Sequence, residues 1–222
     1  YIRHGEGKKM VRKIFYNVPW NDFERAKIAE MNKQIKEQNV QLPDDWCENE
    51  TIRMIYNQRG DIPKCMESLK TYTKWLADTD YHTLDAGVLH YLKEGIIYFL
   101  GKDKQYRQIV VVNVHKLNIK GEEGEKQMRA ISYALRVLKK YCFVPGHVEN
   151  WVMLIEVNNA GITNFPVSSM KKIISTAQLY FSSCLEKLYV VNPSSTLSWS
   201  WNMIKGFIDP ETADKIDFLT KK

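Results

Sequence analysis

Little in this chain speaks for stabilisation by covalent bridges or bound metal. Its four cysteines, Cys47, Cys65, Cys142 and Cys184, are far apart, with no C-x-x-C pair and no histidine at zinc-finger spacing. That is the pattern of reduced thiols in a cytosolic compartment. No apolar run approaches the roughly 18 residues that a membrane-spanning helix needs, so the expectation is a soluble or peripheral protein. Position 1 is Tyr, and no basic stretch leads into an apolar one, so Tyr1 reads as the start of an excised domain. There is no G-x-G-x-x-G, no Walker loop and no G-x-S-x-G elbow. The nearest glycine cluster, Gly121-Glu122-Glu123-Gly124, sets two carboxylates where a phosphate cradle needs uncharged N–H groups, and reads as a loop. The histidines at 4, 82, 90, 115 and 147 form no H-x-x-x-H pair. His115 follows a strand end, where catalytic residues of α/β folds collect, but no nucleophile setting accompanies it, so a hydrolase or transferase is the least supported reading. Neither catalysis nor a metal centre is expected.

What is present fits one α/β domain with a helical prelude: 222 residues, 44 % hydrophobic and 26 % charged, enough to bury about 70 % of the unfolded surface. A formal charge of +6 favours an anionic contact, either nucleic acid or an acidic membrane face. Lys and Arg alternate with Asp and Glu instead of gathering with aromatics on one element, which argues against nucleic acid.

Residues 1–20 form a basic extension, with Lys8, Lys9, Arg12 and Lys13, expected to be solvated. A helical region over 21–95 follows. Within it Phe23, Ile28, Met31 and Ile35 make one narrow apolar stripe between Asn21 and Gln38, the mark of a surface helix open to a protein partner. Glu50 to Gln58 presents Ile52, Ile55 and Tyr56 on one face. After the break at Arg59 to Pro63, a helix runs to Leu76 with Met66, Leu69, Tyr72, Thr73 and Leu76 inward. Asp85 to Glu94 forms one more short helix. The remainder, 96–222, changes to short β-rich runs, Ile109–Val114, Trp151–Val157 and Leu188–Val191, separated by helical patterns over Glu123–Tyr141 and Val167–Leu185. Such alternation implies a mainly parallel sheet flanked by helices.

Beyond Asn192-Pro193 lies an apolar segment from Thr196 to Ile208 with Leu197, Trp199, Trp201, Met203, Ile204, Phe207 and Ile208. A helix apolar over more than one face is ordinarily buried, yet paired tryptophans also favour membrane interfaces. Asp209-Pro210 then caps a further short helix that presents Thr212 and Lys215, three apart, to one anionic group.

The order of elements and these motifs together resemble the CRAL-TRIO lipid-binding domains of phosphatidylinositol transfer proteins and tocopherol or retinaldehyde carriers. Glu50 to Trp75 is similar to the family's N-terminal helical region. Gly101-Lys102-Asp103 through Arg107 resembles its Gly-x-Asp…Gly-Arg-Pro entry to the first strand, with Tyr106 for Gly and Gln108 for Pro. Trp151 to Pro166 resembles its second strand and loop, with Glu156 for Asp. Tyr189-Val190-Val191-Asn192-Pro193 and Asp209-Pro210-Glu211-Thr212-Ala213-Asp214-Lys215-Ile216 are the most specific pieces. The family's Tyr-Pro-Glu-Arg before the third strand is Phe181-Ser182-Ser183-Cys184 here, so a Glu of the phosphoinositide site is missing.

The resemblance implies an α/β fold enclosing an apolar lipid pocket, gated by the helix of Thr196 to Ile208, with no cofactor besides a lipid, phosphatidylinositol or another phospholipid. Val110, Val112, Trp151, Met153, Ile155, Tyr189 and Val191 are the expected lining, and Thr212 and Lys215 the headgroup phosphate contacts. Trp151 and Met153 stand where phosphatidylcholine binders carry hydroxyls, which favours another second ligand, or none. Extracting a diacyl lipid means matching about 0.8 kcal/mol per buried CH₂, which an enclosed apolar pocket achieves. The implied protein is a cytoplasmic, non-enzymatic monomer that visits anionic membrane surfaces, with a C-terminal end truncated at Lys222. The alternatives are a carrier of another hydrophobic ligand and an interaction module with a vestigial pocket.

Overall fold

A computed structural model describes residues 2–4, 10–78, 83–118, 121–157, 177–193, 205–206, 208 and 210–219. The chain divides into two compact units: Tyr1–Thr79 with Val144–Glu149 and Gln178–Cys184, and Asp80–Phe143 with Asn150–Ala177 and Leu185–Lys222.

The first unit holds a short antiparallel pair, β1 (Ile2–His4) and β2 (Met10–Arg12), and three helices, α1 (Asp22–Glu37), α2 (Glu48–Asn57) and α3 (Ile62–Asp78). Helix α1 starts at a reciprocal cap. The Asn21 side chain accepts from the Glu24 N–H (2.9 Å), and the Glu24 carboxylate accepts from the Asn21 N–H (2.8 Å), satisfying two N–H groups that a helix start leaves without partners. The stripe Ile28, Met31, Ile35 is buried in one core with Ile52, Ile55, Cys65 and Leu69. The apolar face expected to await a partner is therefore covered by α2 and α3, while Phe23 stays 40 % exposed. Of the basic residues expected to be solvated, Lys13 is exposed, Lys8 and Lys9 lie outside the described residues, and Arg12 is a correction. Arg12, Ile14 and Phe15 are buried, with Arg12 paired to Glu24 and its guanidinium over the Trp20 ring at 4.7 Å. Helix α2 is buried around its whole circumference from Thr51 to Tyr56, beyond the single face that its periodicity shows.

The second unit carries α4 (Ala86–Glu94), β3 (Ile97–Lys102), β4 (Gln108–Asn113), α5 (Gly121–Tyr141), β5 (Trp151–Glu156), β6 (Leu185–Val191), α6 (Pro210–Ala213) and β7 (Ile216–Leu219). Its five-stranded sheet has the order β3-β4-β5-β6-β7, with β3 antiparallel to β4 and the other three pairings parallel. A mainly parallel mixed sheet flanked by helices is what the sequence led one to expect. Asp85 caps α4 through the Val88 N–H (2.8 Å) and pairs with Arg129 of α5, while Tyr91 of α4 donates to Glu123 (2.8 Å).

Three expectations change. The Gly121 to Gly124 stretch is the first turn of α5, with Glu122 and Glu123 where a helix dipole favours carboxylates. Two edge strands, β3 and β7, join the three expected ones; β3 is exposed at all but its first residue and β7 is only four residues long. The helix expected over Val167–Leu185 lies outside the described residues up to 176. Its described end is helical at 177–180 and gives way to a turn, so Leu185 already belongs to β6. Among the described residues the four cysteines are free, and no helix is long and apolar enough to cross a membrane.

Candidate functional site

In a sheet, residues paired across neighbouring strands point to the same face and successive residues to opposite faces. The register pairs Val110 with Met153 and Val112 with Ile155, Met153 with Leu188 and Ile155 with Val190, and Leu188 with Ile216 and Val190 with Phe218. One continuous apolar face therefore crosses four strands. Val114, Val157 and Val190 form a buried cluster there, with Ile155, Leu188, Ile216 and Phe218 packed on it.

Five of the seven expected lining residues, Val110, Val112, Trp151, Met153 and Ile155, lie on this face. Tyr189 and Val191 do not. They pair with Leu154 and Glu156 and share the opposite face with Lys187, whose ammonium meets Asp217 at 2.7 Å. The sequence could not separate them, since Leu188 to Val191 is a continuous apolar run with no alternation to read. Leu188 lies in the same run, and Ile216 and Phe218 on β7, which the sequence did not mark as a strand, also fall on this face. The I-D-F-L alternation of β7 was the one signal that would have placed two of them.

Depth differs along this face. Val110 is fully buried, and Trp151 is buried with its ring 5.7 Å from Phe143. Met153, Ile155, Leu188, Ile216 and Phe218 are half-buried, as are Leu154 and Tyr189 on the other face. The middle strands of a sheet covered on both faces are normally its most buried part. Here they keep accessible apolar surface.

Thr212 lies on α6, which spans a single turn, and Lys215 immediately precedes β7. The Lys215 N–H donates to the Thr212 carbonyl (3.0 Å), and the Lys215 carbonyl accepts from the Leu188 N–H (2.9 Å). This second bond fixes Lys215 alongside the middle of β6. Ala213 and Ile208 are buried, whereas Thr212 and Lys215 are half-buried. At the carboxyl end of the sheet, Asn192 donates to both oxygens of Glu156 (3.2 and 2.9 Å), and Asn192 takes the left-handed conformation at φ 56° that turns the chain out of β6. Glu156 is thus engaged in holding the strand end. Of the expected gate, Leu197, Trp199, Trp201, Met203, Ile204 and Phe207 lie outside the described residues, and Ile208 is buried.

Sequence reasoning missed a buried polar hub in the first unit. Glu149 is wholly buried and accepts from the N–H groups of Phe15 (2.8 Å), Tyr16 (2.9 Å) and Gly146 (2.8 Å) and from Arg53 (2.8 Å). Arg53 also donates to the Cys184 sulfur (3.7 Å) and stacks over Phe15 at 4.1 Å. Beside it, burial alone would raise the Glu24 carboxyl, but hydrogen bonds from Arg12, Tyr56 and Asn21 outweigh it and hold the group below the usual range. Burial, and then the bond to Glu24, pushes the Tyr56 phenol up. No group of three potential metal ligands occurs among the described residues.

A mainly parallel mixed sheet flanked by helices, with half-buried apolar residues in its middle strands, defines the class: an α/β domain with a helical companion unit. The chain belongs to the CRAL/TRIO domain family, whose model matches residues 92–222. It is 22 % identical over 193 residues to the phosphatidylinositol/phosphatidylcholine transfer protein SFH4 of Arabidopsis thaliana, covering 77 % of this chain and 31 % of that protein. With the SEC14 cytosolic factor of Yarrowia lipolytica it shares 23 % identity over 182 residues, 74 % of this chain and 37 % of the relative. The chain thus spans between about a third and a half of the length of the curated relatives it matches first. The crystal structure of Sfh5 has the same fold, at a TM-score of 0.68 and 13 % identity over 91 % of this chain and 82 % of that one.

Proposed function

We propose that this chain binds one lipid molecule against the Val110 face of its sheet and transfers or presents it at membrane surfaces, as a non-enzymatic cytoplasmic carrier acting as a monomer. The carrying observation is the half-buried apolar surface of Met153, Ile155, Leu188, Ile216 and Phe218 in the middle of the sheet. The names of the relatives, phosphatidylinositol and phosphatidylcholine transfer proteins, support phosphatidylinositol as the first ligand, with Thr212 and Lys215 as the phosphate contacts. On its sequence, the apolar segment Thr196 to Ile208 supplies the closing element.

Mass spectrometry of lipid co-purified with the chain tests the reading. Stoichiometric phospholipid is expected, and a lipid-free protein would leave an interaction module with a vestigial pocket. Lys215→Ala should slow phosphatidylinositol transfer between vesicles about tenfold, the loss of one charge-assisted hydrogen bond of 1.5 kcal/mol or more. Unchanged transfer removes Lys215 from the headgroup site.

A further inference from the structure

Edge strand β3 departs from the way sheet edges are usually protected. Tyr98, Phe99 and Leu100 are consecutive and exposed, Leu100 at 60 %. Tyr98 and Phe99 point to opposite sides of the strand, and each keeps more than a third of its surface exposed, at 43 % and 36 %. The pairing with β4 shifts between Phe99 and Gly101, which leaves Leu100 as the unpaired bulge residue, and Gly101 takes φ 147°. In the turn that follows, Tyr106 is 72 % exposed. Lys102 and Lys104 are exposed and form no ion pair with a described residue, while Asp103 between them is engaged by Arg107 at 2.7 Å. The local surface is apolar and aromatic with two uncompensated positive charges.

We infer that β3 and its turn form a docking surface for an anionic lipid bilayer, with Tyr98, Phe99 and Leu100 entering the interface and Lys102 and Lys104 meeting the headgroups. Three occupants compete for such an edge: an added strand, a second copy of this chain, and a membrane. An added strand needs an unbroken ladder of N–H and C=O groups, and the bulge at Leu100 interrupts it. A second copy paired edge to edge would bring like lysines together around a two-fold axis. A bilayer accepts both the exposed aromatics and the positive charges, each in its preferred layer. The inference deepens the reading of the chain as a lipid carrier by naming the surface that meets the membrane, and it rests on that reading only for its biological purpose.

The test is sedimentation of the chain with phosphatidylserine–phosphatidylcholine vesicles and with phosphatidylcholine vesicles alone, scored separately from lipid loading, so that the pocket and the docking surface fail independently. The parent should sediment with the anionic vesicles. The double change Lys102→Gln and Lys104→Gln should weaken that partitioning about thirtyfold, from two surface charges, and Leu100→Asp at least about tenfold. Both substitutions fall on exposed side chains, and an unchanged unfolding midpoint verifies the fold. Variants that sediment like the parent, or a parent that ignores anionic vesicles, overturn the inference. So does a parent dimer, seen by analytical ultracentrifugation, that Leu100→Asp dissolves without any effect on vesicle binding.

Discussion

Replacing Glu149 by Ala removes the acceptor of four hydrogen bonds in a site from which water is excluded. Three of these come from the backbone N–H groups of Phe15, Tyr16 and Gly146, and one from Arg53, itself 1 % exposed. Bonds to a charged group contribute about 1.5–3 kcal/mol each, but four summed in this way would overshoot, because the orphaned donors relax and partly rehydrate. The better guide is a buried ion pair broken on one side, which costs about 3–5 kcal/mol. Against a typical domain stability of about 5–15 kcal/mol, that is a large fraction.

Urea unfolding of parent and Glu149→Ala, read by tryptophan fluorescence, measures the difference; the midpoint should fall steeply at nearly constant slope. A cycle with Arg53→Met separates the pair from the backbone bonds. Arg53→Met alone leaves Glu149 with three donors, whereas Glu149→Ala leaves the buried guanidinium the longer contact to Glu50 at 3.8 Å in place of its 2.8 Å pair, so the double variant should lose less than the sum. Strictly additive losses, or a Glu149→Ala cost under about 1 kcal/mol, would refute the hub as the element that organises this unit.

Other outcomes follow from single sites. The Glu24 carboxyl is held below its ordinary value when folded, so it adds stability above the unfolded value of about 4.3 and loses it as pH falls through the lower folded value; Glu24→Gln should flatten the acid limb of a stability–pH curve. Met153→Asp should abolish lipid co-purification while Tyr189→Asp, on the other face, leaves it largely intact; equal loss from both would contradict the assignment of the pocket to one face. Tyr106 adopts φ 62° in the turn where the resemblance places Gly, so Tyr106→Gly should raise stability by about 0.5–1 kcal/mol in thermal unfolding, the relief of left-handed strain less the added unfolded-chain entropy.

The parallel core of the sheet was legible because β4, β5 and β6 are short apolar runs separated by a helical pattern, a combination that few folds satisfy. Its edges were not. Strand β3 carries its own signal, the unbroken apolar run Ile96 to Leu100 between Gly95 and Gly101, but the run follows directly on the apolar positions of α4 and does not stand apart from them in the sequence. The proposed headgroup contacts Thr212 and Lys215 rest on spacing and resemblance, and the helix that carries Thr212 is one turn long. Long-range polar pairing left no local signal: nothing around Glu149 points to Arg53, 96 positions away, because a buried carboxylate and an exposed one have the same sequence neighbourhood.

That hub explains why the helical unit contains two pieces of chain from between the strands. Glu149 stands two residues before Trp151, the start of β5, and Cys184 directly before Leu185, the start of β6. Both bond to Arg53 of α2. A single guanidinium therefore engages the residues that lead into the two middle strands, the same strands that carry Met153, Ile155 and Leu188. Because an isolated buried charge is expensive, Arg53, Glu149 and the three N–H groups form together or not at all. The consequence for function is directional. Substitutions at the hub should lower stability, whereas conservative substitutions at the half-buried Met153, Ile155 and Leu188 should lower lipid loading with little change in stability, and the ratio of the two effects tells a residue that organises the helical unit from one that meets lipid.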